Sequence, residues 1–188
     1  MLPARESTLM QFAISVLLLA FIAACASSSI NPPLFDAAAA GDIRTIQSLL
    51  DQGASVNMKN SKGESALMLA AGNNQETAAQ LLLNKGADVN AKDQSGFTTL
   101  MAASAGGNAS IVLGVIARGA SVNEKDKDGT TALIAAARKG RTSIVDILLS
   151  KGADLNARDN DGKTALGCAK KNGYSRLVQY LQNAGAKE

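Results

Sequence analysis

A chain of 188 residues with 46% hydrophobic but only 3% aromatic residues, and no tryptophan, draws its apolar content from alanine and leucine, which suits closely packed helices. The absence of histidine removes the commonest general base and the commonest transition-metal ligand together. A formal net charge of +3 does not by itself indicate nucleic acid, and Cys25 and Cys168 lie in segments too different in character to suggest a disulfide framework.

The first segment along the chain is an address. Arg5 precedes a polar-to-apolar transition, and residues 12–24 read FAISVLLLAFIAA, an uncharged run shorter than the roughly 18 to 20 apolar residues that span a bilayer. This order predicts an export signal over 1–24, to be excluded from the fold. Ile22-Ala23-Ala24-Cys25 resembles the lipobox of bacterial lipoproteins, an aliphatic residue and two small residues before a cysteine. The resemblance implies cleavage before Cys25, lipidation of its sulfur and anchoring to the membrane through the N-terminal lipid, each buried methylene contributing about 0.8 kcal/mol. Because Ala26 rather than aspartate follows the cysteine, it also implies the outer membrane, facing the periplasm, in a Gram-negative host. Two alternatives stay open. Cleavage after Ala26 also satisfies the small-x-small rule and would release a soluble periplasmic or secreted protein, and the signal could be retained as an anchor. Residues 25–33 read as the lipidated cysteine and a short tether of at most about 25 Å.

From there to the end the chain repeats. Gly53-Ala54, Gly86-Ala87, Gly119-Ala120, Gly152-Ala153 and Gly185-Ala186 succeed one another every 33 residues, and Gly63, Gly96, Gly129 and Gly162 keep the same period. The first four pairs continue as GASVN, GADVN, GASVN and GADLN. This divides the domain over 34–188 into five units near 31–59, 60–92, 93–125, 126–158 and 159–188. Within one unit, Thr131 can cap the start of a helix whose apolar face is Leu133, Ala136 and Ala137, and Gly140 ends it. Ile144, Val145, Ile147, Leu148 and Leu149 supply a second helix that Gly152 stops. The polar linker NEKDKDGT ends in a hairpin-turn signal. One unit cannot bury both helices, so neighbours must stack. The first unit starts directly at a helix and the last carries Lys170, Lys171, Arg176, Gln179 and Gln182, so both read as caps.

A 33-residue unit of this form resembles the ankyrin repeat. The resemblance implies an all-α solenoid of about five helix–turn–helix units linked by hairpin-like loops. The signature proline is replaced by Ala66, Thr99, Ala132 and Ala165, and its histidine by Met68, Met101, Ile134 and Gly167. The inter-repeat hydrogen bond expected of that histidine is lost, so stability should lean on apolar contacts. Gly114 falls on a position read as an inward leucine, which marks the third unit as the weakest.

The same resemblance implies partner binding on a concave face, through hairpin tips and the exposed ends of the first helices. The equivalent positions are Ser61, Lys62, Glu64 and Asn73, then Gln94, Ser95, Phe97 and Ala105. They continue as Lys127, Asp128, Thr130, Arg138 and Lys139, then Asn160, Asp161, Lys163, Lys171 and Asn172. Phe97 is the preferred anchor, since exposed aromatics mark hot spots, with local packing over Met101 as its alternative. The implied function is a monomeric protein-binding module held at the bacterial envelope as a scaffold or adaptor. An inhibitor or immunity protein is the alternative.

Chemistry has little to build on. Asp126, Asp128 and Gly129 mimic the opening of a calcium loop, but Ala135 stands where a bidentate glutamate is required, and Cys168 stands there in the next unit. Cys168 reads as an inert apolar residue. The sequence therefore predicts no enzyme, no metal, no cofactor and no small-molecule substrate. Twelve basic residues against eight acidic from Glu124 onward, with Arg138, Lys139, Arg141, Lys170 and Lys171 clustered, could attract an acidic partner or anionic lipid head groups. Export and the scarcity of stacking aromatics argue against nucleic acid.

Overall fold

The structure, a computed structural model, describes residues 33–187. The export signal expected over 1–24, the lipidation site Cys25 and the tether as far as residue 32 lie outside the described residues. Helical residues 33–40 form α1, followed by α2 (Ile43–Asp51), α3 (Ala66–Gly72), α4 (Glu76–Asn84), α5 (Thr99–Gly106), α6 (Ala109–Ala117), α7 (Ala132–Arg138), α8 (Thr142–Ser150), α9 (Ala165–Lys171) and α10 (Ser175–Asn183). The architecture is the all-helical repeat solenoid that the period predicts. No helix among the described residues is long and apolar enough to cross a membrane.

Helices of seven to nine residues are too short to persist alone, so packing must hold them. The odd-numbered helices form one inner row, α3 against α5, α5 against α7 and α7 against α9, while α2, α4, α6 and α8 form a second, looser row. Each inner helix from α3 onward begins at a hydroxyl cap. Ser65, Thr98, Thr131 and Thr164 accept hydrogen bonds from the amides of Met68, Met101, Ile134 and Gly167. Removing such a cap costs about 1 kcal/mol.

The inner helices are buried on nearly every side. In α7 all residues from Ala132 to Ala137 are buried, where the sequence suggested a single apolar face. Leu34, Leu67, Leu100, Leu133 and Leu166 form one ladder at the 33-residue register, none more than 3% exposed. Ile46, Leu82, Leu148 and Leu181 are fully buried in the outer row. Burying a leucine completely stabilises by roughly 1.5–3 kcal/mol, so these ladders carry the stack. Met68, Met101 and Ile134, where the signature has histidine, are at most 4% exposed and belong to the same apolar interior. Small alanines let the inner helices approach one another more closely than the outer ones do.

Gly114 departs from expectation. It is half-buried, at the register of the half-buried Leu81, Ile147 and Tyr180, and the fully buried position is its neighbour Val115.

Candidate functional site

The linkers between units are turns built around one acceptor. Asn60, Asp93, Asp126 and Asp159 each place Oδ1 against the amides two and four residues ahead. Asp126 accepts from Asp128 at 3.0 Å and Thr130 at 2.7 Å, and Asp159 from Asp161 at 3.1 Å and Lys163 at 2.8 Å. Asp126 and Asp159, the first aspartates of the two calcium-loop-like runs, thereby each use one carboxylate oxygen to shape the turn.

Successive turns are also bonded to each other. The amides of Gln94, Lys127 and Asn160 donate to the carbonyls of Lys62, Ser95 and Asp128 at 3.0, 2.8 and 2.9 Å. The side chains of Gln94 and Asn160 donate to the carbonyls of Ser61 and Lys127, both at 2.8 Å. This needs glycine at Gly63 and Gly129. Both have positive φ, and a Cβ on either would sit 2.9 Å from the next turn's backbone nitrogen. The tips are therefore one bonded row.

Of the expected contact residues, Ser61, Lys62, Asn73, Gln94, Ser95, Lys127, Asp128, Arg138, Lys139, Asn160, Asp161, Lys171 and Asn172 are exposed on this row and the adjoining helix ends. Glu64, Phe97, Ala105 and Lys163 are half-buried. Thr130 has to be corrected: it is only 2% exposed. Its register points into the base of the turn, and threonine is too short to reach past it. Phe97 is corrected in part, because its ring packs against the core instead of standing free in solvent.

Charge concentrates at one end. Arg138 Nη2 meets Asp159 Oδ2 at 3.0 Å, and Lys163 pairs with Asp161. The Lys163 ammonium holds the Asp161 carboxyl below its usual range and is itself raised by that carboxylate. Arg138, Lys139, Lys163 and Lys171 line a cleft of about 340 Å³ with Asn172 and the buried Cys168. Arg141 lies elsewhere: its Nε donates to the carbonyl of Ala105 at 3.1 Å, and its side chain covers Gly107.

One set of residues escaped sequence reasoning. Asn57, Asn90 and Asn123 close the GASVN and GADVN motifs. Their Oδ1 atoms accept from the amides of Asp88, Ser121 and Asp154 at 2.8, 3.4 and 2.8 Å. Their Nδ2 groups donate to the carbonyls of Gly86, Gly119 and Gly152. Asn156 ends the ladder by accepting from Lys187. The recurrence of the asparagine every 33 residues was the available signal.

Comparison with known families gives one result. The family model described as ankyrin repeats, three copies, matches residues 34–126 and 102–188. A search of curated proteins returns no match.

Proposed function

The chain belongs to the ankyrin-repeat family, and on that premise we propose that it binds a protein partner along the concave row of turns as an envelope-tethered scaffold or adaptor. Ankyrin repeats generally mediate protein–protein interaction. The observation that carries the reading is the hydrogen-bonded alignment of the four turns. It places the exposed turn residues from Ser61 to Asp161 in one frame before any partner arrives. Such preorganisation lowers the ordering cost of association. Tethering rests on the lipobox-like Ile22-Ala23-Ala24-Cys25, which would hold a monomeric solenoid at the membrane surface of a bacterial envelope, facing the periplasm in a Gram-negative cell.

Site-specific photocrosslinking in intact cells tests the binding face. A crosslinker at Lys127 on a turn should capture a discrete protein, and one at Ser143 on the outer helix α8 should not. Capture from Ser143 alone would place the interface on the opposite side and overturn the reading.

A further inference from the structure

The cleft between the fourth and fifth units has a charge balance that the fold does not require. Four cations line it, Arg138, Lys139, Lys163 and Lys171. Two are neutralised within the chain, Arg138 by Asp159 and Lys163 by Asp161. Lys139 and Lys171 make no ion pair among the described residues, although the Lys171 charge acts at longer range on Asp161, so four cations face two carboxylates here. Both ammonium groups are exposed, at the C-terminal ends of α7 and α9. Helix dipoles there favour cations, which lets like charges accumulate around one concavity.

The earlier repeats lack this feature. The register of Arg138 and Lys171 holds Gly72 and Ala105, and that of Lys139 holds Asn73 and Gly106. At the register of Lys163 the second unit has Glu64, a charge of opposite sign. Cations at the ends of the inner helices therefore occur in the fourth and fifth units and not at the matching positions of the second and third.

We propose that this cleft receives an acidic peptide segment of the partner, with Lys139 and Lys171 supplying the charges that its carboxylates complete. The proposal rests on the concave-face reading and narrows it to one chemistry. A peptide suits the shape better than a lipid surface. The cations line a recess between a turn and two helix ends, which a strand can enter and a flat bilayer cannot. The more exposed large apolar side chain, Leu113, which could dip into a membrane, lies on the outer helix α6 instead. Excess positive charge in a recess also focuses the field and speeds the encounter with an anionic segment.

The test uses the full-length protein in non-ionic detergent and fluorescence anisotropy of a labelled poly-glutamate peptide, with poly-glutamine as its neutral counterpart. Wild type should bind poly-glutamate saturably and poly-glutamine far more weakly, and added salt should weaken the complex. Lys139→Gln/Lys171→Gln should lose about tenfold or more in affinity, while Lys151→Gln, a lysine outside the cleft, should bind as wild type does. Unchanged thermal midpoints establish that the variants are folded. Equal binding by the double variant, equal binding of both peptides, or no binding of poly-glutamate overturns the proposal. So does binding to phosphatidylglycerol vesicles but not to peptide. The Lys127 crosslink separates the two levels. If it persists in Lys139→Gln/Lys171→Gln cells, the concave face binds a partner by other chemistry, whereas adducts from the outer helix alone remove both readings.

Discussion

Arg138 Nη2 lies 3.0 Å from Asp159 Oδ2, joining the last turn of α7 to the linker of the following unit. The Asp159 side chain is 3% exposed and the Arg138 side chain 43%, so the arginine covers a carboxylate that also holds two backbone amides. Arg138→Ala should lower stability by about 1–2 kcal/mol, because it leaves that carboxylate buried without its countercharge. Arg138→Ala/Asp159→Asn should recover most of the loss, since Asn60 shapes the same turn in the second unit without a charge. Denaturant titration checks both. A double variant no more stable than Arg138→Ala would mean the pair is not what stabilises the turn. Arg138 is for this reason a poor probe of binding, because its removal disturbs the surface it borders.

The third unit carries defects that its neighbours lack. Thr99 Oγ1 and Ser104 Oγ are buried without a hydrogen-bond partner, and alanine occupies the register of Ser104 at Ala71 and Ala137. Ser104→Ala should stabilise by about 1 kcal/mol. Gly114→Ala should add about 0.5–1 kcal/mol, since the new Cβ would lie 3.7 Å from Leu83 Cδ1, an ordinary contact within a helix. Denaturation midpoints that fall for either variant would refute this account of the unit.

Stability at high pH should depend on Tyr180. Its hydroxyl donates to Asp146 of the preceding outer helix, and that bond, aided by partial burial and the carboxylate charge, raises the phenol above its ordinary range. A raised folded value means the contribution is complete below the unfolded tyrosine value and lost as pH rises through the folded one. Thermal midpoints of wild type should therefore fall more steeply than those of Tyr180→Phe as pH rises above about 10. Parallel curves would show that the bond contributes nothing measurable.

Tethering makes a separate prediction. Cells given an alkyne-tagged fatty acid should label the wild-type protein, and Cys25→Ser should abolish the label and release the protein from membrane fractions. Label retained in Cys25→Ser would place any lipid elsewhere.

The fold was legible because its punctuation is periodic. Glycines that end helices and shape turns recur every 33 residues, and so do the leucines Leu67, Leu100, Leu133 and Leu166 between them. What the sequence hid depends on contacts between units. Arg138 reads as a free surface cation until Asp159, 21 residues ahead, folds under it. Gln94 and Asn160 read as free tips, yet each reaches back 33 residues to a carbonyl. Thr130 shares its register with Glu64, Phe97 and Lys163, and only side-chain length decides which of these reaches solvent. The Gly114 assignment missed by one position, because Leu81 and Leu82 are adjacent and only the second faces inward. The asparagine ladder was visible as a recurrence but not as a set of bonds.

The central claim is that the row of turns binds a protein partner, and a crosslinked pull-down from intact cells tests it most directly. Wild type should be compared with Lys62→Glu/Lys127→Glu/Lys139→Glu/Lys171→Glu, which reverses exposed lysines that make no ion pair among the described residues. The account predicts a discrete protein recovered with wild type and lost with the folded variant. Equal recovery with both would contradict it.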